Sequence, residues 1–114
     1  MSTKIKVLFL ALLLTSFSSL AQQIQMPQAS PSSKIIQKVG LTDVTVDFSR
    51  PSTKGRKIFG ELVPFGQVWR TGANGATVLT FSTEVSISGT KVPAGSYALY
   101  SIPGKSTWTM ILSK

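Results

Sequence analysis

The residues best suited to chemistry lie in one run, Trp69 to Asn74, inside the glycine-bearing stretch Leu62 to Thr77. Arg70 offers a planar, permanently charged fork of donors that matches a carboxylate or a phosphate. The turn from Gly72 to Gly75 can aim backbone N–H groups into an anion-binding concavity. Asn74, the sole asparagine, is neutral and both donates and accepts. Trp69 either stacks on a ligand such as a sugar ring or stays in the core. These four positions, Trp69, Arg70, Gly72 and Asn74, are the candidate ligand-binding set. The plain alternative is that the glycines only make a turn and that Arg70 pairs with Asp47 or Glu61.

Other chemistries fall away quickly. The chain has neither cysteine nor histidine, which excludes an ordinary zinc site and any Ser-His or Cys-His nucleophile. No metal and no cofactor is expected, since no phosphate loop and no dinucleotide fingerprint occurs. Asp43 and Asp47 share one face of a strand, but four residues separate them by about 13 Å. Glycoside hydrolysis needs its carboxylates about 5–9.5 Å apart, so this pair reads as solvent-facing charge. Ser88 and Lys91 match a serine-nucleophile pattern by letters alone. That pattern belongs on a helix, and here it falls in a hairpin turn. Lys54, Arg56 and Lys57 form a basic group whose plain reading is a solvated loop. A catalytic residue is not identified. An enzyme, a small hydrolase or isomerase, would need Arg70 and Asn74 joined by a carboxylate that folding brings in.

The segments that position this run begin with residues 1–21, which read as a secretory signal peptide. Lys4 and Lys6 supply its positive start, and Val7–Leu14 is an apolar run too short to span a bilayer. Small residues at Ser19 and Ala21 place the cut between Ala21 and Gln22. Export to the periplasm or the exterior follows, without disulfides. Residues 22–33 are a polar linker with Pro27 and Pro31. The whole chain carries 12 basic against 4 acidic side chains; the leader holds two of the lysines, leaving a net charge of +6 beyond it. Such a surface suits an anionic small molecule or an acidic glycan. Nucleic acid is disfavoured by export, and no transmembrane segment remains once the leader is removed.

Residues 34–114 form the folded part. Val44, Val46 and Phe48 alternate with Asp43, Thr45, Asp47 and Ser49, the period of a half-buried strand. With Lys34–Val39 and the turn Gly40–Thr42 it makes an antiparallel hairpin. One helical turn is expected near Ile58–Leu62. Further strands are expected over Thr77–Ser82, Glu84–Ser88, Ser96–Ile102 and Thr107–Leu112, with turns over Ser88–Lys91, Pro93–Gly95 and Pro103–Gly104. Tyr97 and Tyr100 fall on opposite strand faces, so at least one belongs in a core or interface. The pattern predicts an all-β fold, an antiparallel β-sandwich or partly open barrel. The last strand runs almost to Lys114, so either the sheet is left open or the chain is a fragment.

The runs GLTDVTVDFSRP (40–51), KGRKIFG (54–60), LVPFG (62–66) and VWRTGAN (68–74), with Pro93–Gly95 and Ile102–Gly104, resemble the family catalogued as domain of unknown function 2911. The resemblance covers essentially all of the chain beyond the leader, and 68–74 is its most specific part. It implies an exported bacterial β-domain, and it implies no reaction. Members usually continue past the strand matching Thr107–Leu112, so the resemblance also implies that C-terminal strands are lacking here. The function expected is a binding or structural module of the bacterial cell envelope.

Overall fold

The computed structural model describes residues 24–114; the predicted leader and its cleavage site, Ala21 and Gln22, lie outside the described residues. Seven strands follow one another: β1 Ser32–Val39, β2 Thr42–Ser49, β3 Thr77–Phe81, β4 Val85–Ile87, β5 Thr90–Val92, β6 Gly95–Ile102 and β7 Thr109–Ser113. No helix occurs among the described residues. The all-β, antiparallel expectation therefore holds, and the sheet is not a closed barrel. Five strands make the main sheet in the order β1-β2-β3-β6-β7, with β1 and β7 at its edges among the described residues, and β4 and β5 form a separate hairpin.

Register explains the faces. Ile35 lies opposite Val46, Val46 opposite Leu79, and Leu79 opposite Tyr97. Leu99 then faces Leu112. Residues directly opposite share a side of the sheet, so these make one apolar face running across all five strands. The other face carries Lys34 against Asp47 and Lys38 against Asp43 in register, with N–O distances of 3.5 and 2.9 Å. Asp43 and Asp47 are thus solvent-facing charges, as their spacing suggested, and each pairs with a lysine of β1.

Burial concentrates on the central strands. Thr77 and Phe81 of β3 and Tyr97 and Ser101 of β6 are all buried. Phe81 and Tyr97 pack with ring centroids 6.1 Å apart, and the Tyr97 hydroxyl donates to the Pro93 carbonyl at 2.7 Å. Of the two tyrosines, Tyr97 is therefore the core residue. Towards the edges the apolar face stays open, with Ile35 50%, Val39 60% and Met110 56% exposed.

Two local expectations are corrected. Thr90 and Lys91 belong to strand β5 rather than to a four-residue turn. The turn is Ser88-Gly89 alone, and both residues have positive φ, 50° and 81°. That is the two-residue hairpin geometry whose twist matches the flanking strands. Around Ile58 the backbone makes a closed loop instead of a helical turn. The Val63 N–H donates to the Ile58 carbonyl at 2.8 Å, and the Gly60 N–H returns to the Val63 carbonyl at 2.9 Å. Gly60 has φ 92°, which takes the backbone out of a helical path, and a Cβ there would stand 2.8 Å from the Phe65 ring, so the position suits glycine.

Candidate functional site

The run from Trp69 to Asn74 enters the sheet before β3 begins. Trp69 pairs with Ser101 as an antiparallel bridge: the Trp69 N–H donates to the Ser101 carbonyl at 2.7 Å, and the Ser101 N–H returns at 2.9 Å. Ser101 is also paired with Met110 of β7 on its other side. Trp69 therefore takes up the row that β3 occupies further along β6. Phe59, Trp69 and Trp108 close on one another edge to face, with centroid separations of 5.8, 5.0 and 6.2 Å. This geometry favours the positive ring edge of one over the negative face of the next.

Past Arg70 the chain turns sharply. Thr71 has φ 55°, an uncommon conformation that is costly for a β-branched residue. Its surroundings hold it there. The Thr71 hydroxyl is 2.7 Å from the Ser101 hydroxyl and 3.3 Å from the Trp69 carbonyl. The Thr71 carbonyl accepts from the buried Thr77 hydroxyl at 2.6 Å. Ser101 is 0% exposed, and its hydroxyl is satisfied inside the fold by the Thr71 hydroxyl. Strain persists only where the surroundings over-determine it, and such positions cluster at functional sites.

A cleft of about 720 Å³ opens beside this turn. Its lining includes Arg56, Ile58, Phe59, Leu62, Val63, Trp69, Arg70 and Gly72. That is the volume of a drug-sized ligand site. Arg56 is fixed by its own loop: its Nε donates to the Thr53 carbonyl at 2.9 Å and its Nη2 to the Ser52 carbonyl at 3.0 Å. One edge of the guanidinium is consumed, and the Nη1 end keeps its donors for a further acceptor. Arg70 is exposed and has neither an ion pair nor a side-chain hydrogen bond among the described residues. Asp47, one of its two expected partners, is taken by Lys34.

Of the four predicted site residues, the structure brings Trp69, Arg70 and Gly72 to the cleft. Asn74 is not in the lining, though its partner Ser30 is. Its Nδ2 donates to the Ser30 carbonyl at 3.3 Å and to the Ser49 hydroxyl at 3.4 Å, which pins the segment before β1 to the end of β2. Asn74 has φ 64°, a conformation asparagine tolerates better than most side chains. No aspartate or glutamate lines the cleft. Among the described residues no group of acidic side chains is placed to hold a metal ion, and no helix is long and apolar enough to cross a membrane.

Sequence reasoning separated Arg56 from Arg70, and folding puts them in one cleft. It also passed over Ser101, Thr77 and Trp108, which hold the site's backbone and aromatic wall. Ser101 and Thr77 carry no motif, and their roles arise only from pairing between distant segments.

No curated protein and no solved structure matches the chain. A family model described as "Protein of unknown function (DUF2911)" matches residues 30–114, and the chain therefore belongs to that family.

Proposed function

We propose that this chain is a binding module of the bacterial cell envelope, exported by residues 1–21, whose cleft takes a ligand bearing an acidic group. The observation that carries the reading is the pair Arg56 and Arg70 in a single cleft with no carboxylate in its lining. Two guanidinium groups without an internal acid leave a positive potential that an external anion satisfies. One arginine is oriented in advance, which lowers the ordering cost of binding. The enzyme alternative needed Asn74 and a carboxylate beside Arg70, and neither lines the cleft.

A thermal-shift series with inorganic phosphate, glucuronate and alkyl carboxylates tests the ligand class. Acidic probes are expected to raise Tm, and Arg70→Ala is expected to abolish the rise. Hits that survive that substitution unchanged would place the anion elsewhere. Export is tested on the native host's envelope fraction, where the mature chain is expected to start at Gln22. Finding Met1–Ala21 still attached would contradict it.

A further inference from the structure

The anion-binding reading leaves open what the acidic group is attached to, and the walls of the cleft speak to that. Ile58, Leu62, Val63, Pro64, Val68 and Trp69 line it together with the two arginines. Val63 is buried, but Leu62 and Val68 stand 54% and 63% exposed. Apolar surface held open in a cleft is a driving force for an apolar ligand, in proportion to the area removed from water. Besides the two arginines, the polar side chains of the lining are Ser30, Ser52, Thr53 and Gln67, and the loop of Arg56 supplies Ser52 and Thr53. Both of those carbonyls are already occupied by Arg56.

Three ligand classes are separated by these facts. A bare phosphate or acetate would leave most of the roughly 720 Å³ and its apolar wall wet. An acidic sugar could stack one face on Trp69, but its remaining ring hydroxyls would meet Ile58, Leu62, Val63 and Val68, which cannot pair with them. Only Ser30, Ser52, Thr53 and Gln67 offer uncharged polar side chains. An anion with an apolar body satisfies both halves of the lining. We infer that the cleft binds a single-headed amphiphilic anion, its carboxylate or phosphate held between Arg56 and Arg70 and its hydrocarbon body laid along Leu62, Val63, Val68 and Trp69. This rests on the anion-binding reading and narrows it.

The test uses the whole chain and titrates five probes below their aggregation concentrations, read by tryptophan fluorescence and calorimetry: decanoate, decyl phosphate, decanol, glucuronate and inorganic phosphate. Trp69 lies in the cleft wall, so occupancy changes its emission. Decanoate or decyl phosphate is expected to bind at least tenfold more tightly than the other three, and whichever is tighter identifies the head group. Arg70→Gln and Arg56→Gln are each expected to cost at least tenfold for the amphiphilic anions. Leu62→Ser is expected to weaken them several-fold, with circular dichroism and Tm showing each variant folded. Glucuronate or phosphate binding as tightly as decanoate, with Arg70 required, would overturn the amphiphile and leave the anion site standing. Decanol binding as well as decanoate, indifferent to both arginine substitutions, would overturn the anion site as well. Failure of all five probes to bind would overturn both.

Discussion

The two loops that bring arginine to the cleft solve the same problem in opposite ways. In the Ser52–Gly60 loop the side chain is fixed and the backbone is exposed: Arg56 donates to the Ser52 and Thr53 carbonyls, and Lys54 and Gly55 turn outward with φ 51° and 71°. In the Trp69–Gly75 loop the backbone is fixed and the side chain is free. Ser101, Thr71 and Thr77 lock the main chain around Arg70, whose guanidinium has no partner among the described residues. One donor is pre-oriented and the other adapts. A rigid donor lowers the entropy lost on binding, and a free one tolerates different head groups.

Removing what the loops share should have the largest effect. Trp69→Ala takes away one ring of the aromatic trio and a cleft wall, and is expected to cost about 3 kcal/mol in urea unfolding. Next comes the lock on the second loop. Thr77→Val keeps shape but deletes the hydrogen bond to the Thr71 carbonyl, with an expected loss of about 1–2 kcal/mol. It should also weaken Arg70-dependent binding while Arg56-dependent binding persists, a difference visible in a double-mutant cycle with each arginine. A cycle that returned equal coupling to both arginines would erase the distinction between the loops.

The arginines themselves come third and fourth. Arg56→Ala should lower stability by about 0.5–1 kcal/mol, because two backbone carbonyls lose their donors. Arg70→Ala should leave stability within about 0.5 kcal/mol, as for other exposed, unpartnered side chains. Both should impair binding, so the two variants separate in urea midpoint and converge in ligand affinity. The smallest effect belongs to the opposite face of the sheet. The exposed Lys34–Asp47 pair should yield a coupling of about 0–1 kcal/mol, and less at high salt.

Much of the fold is legible in the sequence. Val44, Val46 and Phe48 alternate with polar residues because β2 has one apolar and one wet face, and a period of two survives in any sequence so constrained. The β4–β5 hairpin was half visible. Gly89 signalled the turn, but nothing in Ser88 announces a positive φ, and so β5 was absorbed into the loop. At the site, Arg70 and Trp69 were recognisable from their chemistry. Asn74 looked equally suitable, yet its amide is spent on Ser30 and Ser49, contacts across 44 and 25 residues that no local pattern encodes.

Local chemistry and alternation were enough to determine every strand but β5, the class of fold, the basic charge and the arginine that an anion would seek, because each depends on neighbours within a few residues. Which arginine joins it, which hydroxyls hold a left-handed threonine in place, and whether an acid neutralises the cleft were decided by tertiary structure alone. Those outcomes depend on β6 receiving Trp69 in the row vacated beyond β3, and pairing between segments some 30 residues apart is set by the energy of the whole sheet rather than by either segment.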